Sequence, residues 1–151
     1  MDNQKTIDDL NFLIAVNTDR IEQFQTARED AASERLKRLF QRIALESAGH
    51  VAQLTALIHE NGGEVEPGTT LSGNLHRLWV DVKAALSGHD NGAILDAVEC
   101  AEKATLGAYD RILAEGADLP ENVFELIQSQ RRTVQESCMT VRQLGSQPVQ
   151  R

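Results

Sequence analysis

Two short spacings in this chain unite residue types that bind transition metals. One is Glu99-x-x-Glu102, and the other sets Glu46 four residues before His50. Ligands three or four residues apart share one face of a helix. A di-iron or di-manganese carboxylate centre in a helix bundle takes a Glu from each of two helices and a Glu-x-x-His from each of the other two. Its carboxylates bridge the metals and offset their charge, and imidazoles complete the coordination. Glu46, His50, Glu99 and Glu102 are therefore the candidate metal ligands, with iron or manganese as the metal. The set is incomplete: the first helical segment presents Asn17 where a carboxylate is expected, and the last offers Gln130, Gln135 and Cys138 but no histidine.

A second chemistry competes for the same residues. Asn17, His50, Glu102 and either Gln130 or Arg131 fall on apolar stripes near the midpoints of four helical patterns. Polar groups at core positions are costly unless they are paired or hydrogen-bonded. Glu102 paired with Arg131 or His50, with Asn17 and Gln130 completing the bonds, would make a structural layer that sets helix register. Glu99 also fits an ordinary charged face.

The elements that must position these residues are long helices. Helix 1 is expected over Thr6–Arg28, with Thr6 as N-cap and a stripe of Ile7, Leu10, Ile14, Asn17, Ile21 and Phe24. Helix 2 is expected over Ser33–Asn61, capped by Ser33 and stopped by Gly62-Gly63, with Leu36, Phe40, Ile43, Ser47, His50, Leu54 and Leu57 on its stripe. A connector over 64–92 opens on the turn-forming segment Glu64 to Gly68 and holds a helix over Leu71–Ser87. The third long helix is expected over Ala93–Glu115 and the fourth over Glu121–Leu144. The links within each pair are short, so each pair reads as an antiparallel hairpin, and the long connector can return along the whole bundle. The expected fold is all-α: a ferritin-like four-helix bundle, one domain over 1–145, with a flexible tail over 146–151.

Composition narrows the function classes. The net charge is −8, and basic residues occur only in short clusters such as Arg35-Leu36-Lys37-Arg38. Nucleic-acid binding needs a basic surface to replace counterions, so no nucleic-acid partner is expected. No apolar run approaches a membrane span, and the polar start after Met1 does not read as a signal peptide. The two cysteines, Cys100 and Cys138, form no CxxC motif, which suits reduced thiols and a cytoplasmic location. No phosphate loop, dinucleotide turn or nucleophile elbow is present.

Several segments carry a family resemblance. They are Gly62-Gly63-Glu64, Leu75-His76-Arg77-Leu78-Trp79, Val82-Lys83-Ala84-Ala85-Leu86, Ala93-Ile94-Leu95 followed by Glu99 and Glu102, and Leu119-Pro120. Together they resemble a bacterial family of ferritin-like four-helix-bundle proteins of unknown function. The resemblance implies a ferritin-like bundle and carries over Glu46, Glu99 and Glu102 as matching acidic positions. It also implies a histidine late in the fourth long helix, where this chain has Cys138.

The resulting expectation is a non-enzymatic bundle, in stress or envelope physiology, with a degenerate dimetal site replaced by a structural polar layer. The alternative is a carboxylate-bridged di-iron or di-manganese protein, an oxidase or a metal store. A homodimer through the connector helix is a third expectation, carried by Leu78 and Trp79 if their face is exposed.

Overall fold

The computed structural model describes residues 3–66 and 73–146, and of residues 73–76 and 146 the backbone alone. Among these there is no strand. The elements are α1 (Asn3–Asp30), α2 (Glu34–Glu60), α3 (Gly73–Gly88), α4 (Asn91–Ala114), a short 3-10 turn (Gly116–Asp118) and α5 (Glu121–Ser146). Pro67, Gly68 and Leu71 of the expected connector, and the tail beyond Ser146, lie outside the described residues.

Caps explain most of the boundaries. Ser33 takes an extended conformation and its side chain accepts from the Leu36 amide, as expected of the N-cap. At the other end of α2, Gly62 adopts φ 77°. The amides of Gly62 and Gly63 bond back to His59 and Ile58, satisfying carbonyls that the helix leaves open. A Cβ on Gly63 would come within 2.6 Å of Ile7, so the turn lies directly on α1. Asp90 caps α4 through the amides of Gly92 and Ala93, so this helix begins two residues before the expected Ala93. Thr6 does not cap α1: the helix starts before it, and Thr6 is buried within the first turns.

The hydrogen bonds between helices set their directions. Asn17 faces His50 and Arg20 faces Ser47, so α1 and α2 run antiparallel. Tyr109 faces Gln130 and Glu99 faces Arg142, so α4 and α5 do too. Asn17 also reaches Tyr109 while Arg20 reaches Glu102, which makes α1 and α4 antiparallel. It follows that α2 and α4 run in the same direction. A chain leaving α2 must travel back along the bundle before α4 begins, and this is the reason for the long connector. Asn11 holds the start of that return by bonding the Glu64 carbonyl at 3.1 Å and the Glu66 amide at 2.9 Å.

The apolar interior is in two parts. One gathers around Phe24, Phe40, Trp79, Ile94 and Val98. The other gathers around Leu10, Leu13, Leu54, Tyr109, Ile112 and Ile127. α3 packs on α4 and α1 and closes the first part. Its Trp79 meets the Phe24 ring edge-on at 4.8 Å, and Val82 and Leu86 are buried with it. Trp79, which a connector-helix dimer would use if its face were exposed, is thus turned inward, and Leu78 is half-buried. Between the two apolar parts lies a polar belt.

Candidate functional site

The belt is built by side chains one or two helical turns apart: Asn17 and Arg20 on α1, Ser47 and His50 on α2, Glu102 and Tyr109 on α4, Gln130 and Ser137 on α5. Such spacings return to the same helix face. Four helices therefore meet with polar groups at similar depth, and these groups sort into two storeys.

The charged storey centres on Arg20, which is 2% exposed. Its Nε and Nη2 donate to the two oxygens of Glu102 at 3.0 and 2.5 Å. Its Nη1 donates to Ser47 Oγ at 2.9 Å and lies 2.6 Å from Glu46 Oε2. The fork-on-fork pairing with Glu102 is the strong geometry for an arginine and a carboxylate. Ser137 Oγ donates to Glu46 from the α5 side at 3.1 Å. Burial alone would lower the pKa of Arg20, but Glu102 and Glu46 outweigh it and raise the pKa, so the guanidinium stays charged. Burial pushes the Glu46 carboxyl up, against the pull of Arg20 and the Ser137 hydroxyl.

The neutral storey is a closed ring of donors and acceptors. The Asn17 amide donates to the Leu13 carbonyl and to the Tyr109 hydroxyl at 2.8 and 2.9 Å. Its oxygen must then accept, so the His50 Nδ1 hydrogen points at it across 3.1 Å. Tyr109 donates in turn to Gln130 Oε1 at 2.7 Å. Gln130 Nε2 closes the ring on the His50 carbonyl at 3.2 Å and also reaches Gln53. Burial, reinforced by the charge of Arg20, holds His50 down at about 4, so it is neutral at pH 7. Burial pushes Tyr109 up to about 12.

The four candidate metal ligands do not come together. Glu46 and Glu102 flank the Arg20 guanidinium. His50 belongs to the neutral storey and turns Nδ1 toward Asn17. Glu99 lies outside the core, bonded to Lys103 and Arg142 at 3.0 and 3.1 Å, and these partners hold its carboxyl below the ordinary range. Cys138 is buried, and burial raises its thiol. Among the described residues no group of three or more His, Cys, Asp or Glu is placed to hold a metal. These residues do not fit a dimetal centre.

Arg20 is the buried residue that the expected stripe leaves out. The expected stripe steps from Asn17 to Ile21, whereas the buried positions run Asn17, Arg20, Phe24, Ala27. Both steps suit a helix, and choosing the apolar residue put Arg20 outside. The available signal was two acids, Glu102 on its stripe and Glu46 on the flank of its own, which need a cation at their depth. Arg131 or His50 is the partner expected for Glu102 from the sequence. Arg131 instead bonds Asp110 at the surface, and Gln130, 1% exposed, is the α5 residue that faces in.

Fold and site together define an all-helical protein whose centre is an internal ion pair joined to a hydrogen-bond ring. The chain belongs to the family described as a domain of unknown function, DUF2383, which matches residues 5–115. The match takes in Arg20, Glu46, His50 and Glu102 and ends before α5. No curated protein matches the chain.

Proposed function

We propose that this protein is a non-enzymatic, single-domain bundle of ferritin-like wiring in which a guanidinium takes the place of a dimetal centre, and that it works through its outer surfaces. The observation that carries this reading is Arg20 bonded to Glu102, Glu46 and Ser47 at 2.5–3.0 Å. A dimetal centre offsets the charge of the carboxylates around it, and here Arg20 pairs with two of them, one positive charge against two negative. Its donors are taken up by protein acceptors, which leaves it fixed as a structural cation. The ferritin-like wiring is supported by the parallel course of α2 and α4 and by the long return between them. The centre would then serve to set register and pair the hairpins, a role buried polar groups fill in some helical proteins.

Elemental analysis of the protein purified without chelators tests this directly. The expected result is no stoichiometric iron or manganese, and no gain in thermal stability when either ion is added. Stoichiometric metal that is lost on Glu102→Ala would overturn the reading in favour of a carboxylate-bridged metal protein, which requires Arg20 to leave the centre.

A further inference from the structure

Asparagine followed by glycine occurs twice in this chain, at Asn61-Gly62 and Asn91-Gly92. In such a pair the glycine nitrogen can reach the carbonyl carbon of the asparagine side chain, because no Cβ obstructs its approach. Both pairs lie at helix ends: Asn61 is the C-cap of α2, and Asn91 is the first residue of α4. Their surroundings differ.

Every group that would react at Asn61 is held. Its Nδ2, the leaving nitrogen, donates to the Leu57 carbonyl at 2.8 Å. Its main-chain carbonyl accepts from the Asn3 side chain at 3.2 Å. The Gly62 amide donates to the His59 carbonyl at 3.0 Å, and a carbonyl is no base for its proton.

Asn91 is exposed, and its carboxamide has no hydrogen-bond partner among the described residues. The Gly92 amide donates to a carboxylate, Asp90 Oδ1, at 2.9 Å. That is within the reach of a general base. Closing a ring between Asn91 and Gly92 takes Asn91 out of helical angles. Helix ends fray, so a first residue can leave those angles where an interior one is held.

We propose that Asn91-Gly92 is a self-modification site whose product loosens the start of α4. The Gly92 nitrogen bonds to Asn91 Cγ, and its proton passes through Asp90 to Asn91 Nδ2. The Cγ–Nδ2 bond breaks, ammonia leaves, and a succinimide ring remains. Water then opens the ring at one of its two carbonyls. Attack at Cγ gives aspartate, and attack at the main-chain carbon gives isoaspartate. Aspartate adds a negative charge to the first turn of α4, where the helix dipole favours it. Isoaspartate adds a carbon to the main chain between Asp90 and Gly92. That shifts the amides of Gly92, Ala93 and Ile94 off the Asp90 oxygens, which they meet at 2.9–3.3 Å. The end of α4 that loosens carries Ile94 and Leu95 into the core beside α3.

Peptide mapping by mass spectrometry of the full chain, aged at body temperature and mildly alkaline pH, tests the site. Asn91 should convert about tenfold faster than Asn61 or more, because only its reacting groups are placed and free. Gly92→Ala sets a Cβ 3.3 Å from Asp90 Oδ1 and crowds the attacking nitrogen. It should slow conversion about tenfold. Asp90→Ser keeps a capping oxygen without the base and should slow it roughly tenfold too. Unchanged circular dichroism will show that both variants fold. In the isoaspartyl fraction, hydrogen exchange should rise at the amides of Gly92 to Leu95 and stay unchanged at the start of α2. No conversion at Asn91, or equal conversion at the two pairs, overturns the proposal. So does a rate that ignores either substitution, and unchanged exchange at Gly92 to Leu95 overturns the loosening. None of these outcomes depends on whether the centre binds metal.

Discussion

The two storeys of the belt solve one problem in different ways. In the charged storey a full cation and two carboxylates are removed from water, and each must be answered by opposite charge. Removing one partner from such a set leaves an uncompensated buried charge. In the neutral storey Asn17, His50, Tyr109 and Gln130 each give and receive hydrogen bonds, and no net charge is buried. Its members need direction more than strength, because every donor must find an acceptor around the ring. The contrast shows why Arg20 has so many contacts, while His50 stays unprotonated because burial, reinforced by the charge of Arg20, disfavours a second cation there.

The largest expected effect breaks the charged storey alone. Arg20→Ala or Glu102→Ala should each cost about 3–5 kcal/mol in chemical denaturation, as for one half of a buried pair. Replacing both together, Arg20→Met with Glu102→Leu, should cost much less than the sum of the singles, because the fully buried carboxylate leaves with its cation and only the part-exposed Glu46, still bonded by Ser137, remains. If the double variant were as unstable as that sum, the pair would be contributing net attraction and the contrast with the neutral storey would weaken.

The neutral storey should respond less. Tyr109→Phe removes the link between Asn17 and Gln130 and leaves Gln130 Oε1 without its donor. A loss of about 1–3 kcal/mol is expected, the usual result of orphaning a buried polar atom. Thermal unfolding of this variant beside Glu102→Ala ranks the storeys directly.

Acid sharpens the comparison further. His50 sits at about 4 in the folded chain, below its ordinary 6.5. Between those values the unfolded chain binds a proton that the folded chain refuses. Stability should then fall as pH falls from about 6.5 toward 4, by at most about 1.4 kcal/mol per unit. Glu46 acts in the opposite sense: with its pKa raised, its contribution is full below the ordinary 4.5 and is lost as pH rises through the folded value. Urea midpoints from pH 7 to 4.5 should show the histidine slope, and His50→Gln should flatten it.

The smallest effect lies outside both storeys. Asp110→Asn breaks the surface pair with Arg131 and should change stability by no more than about 1 kcal/mol, as exposed pairs generally do. A larger loss would mean that the rim of the bundle shares in the network.

Much of the fold was legible in the chain. The Ser33 cap, the Gly62-Gly63 stop and the apolar periods of α2 and α4 are local signals, and the structure keeps them within a few residues. The depth of the polar layer was legible too, since Asn17, His50, Glu102 and Gln130 interrupt apolar stripes. The identity of its cation was not. Helical spacing permits either Arg20 or Ile21 after Asn17, and only the acids of other helices favour the arginine. The same limit applies to Glu99, one turn from Glu102 yet rotated out to Lys103 and Arg142.

Sequence alone therefore determined the helices, their short and long connections and the level at which polar groups cross the core. These follow from backbone capping and periodicity, which act over a few residues. Tertiary structure decided which charges meet. Pairing Arg20 with Glu102 brings together residues far apart in the chain, and its strength depends on burial that exists only once four helices have packed. That packing turned a suggestive set of metal ligands into an internal salt bridge beside a hydrogen-bond ring.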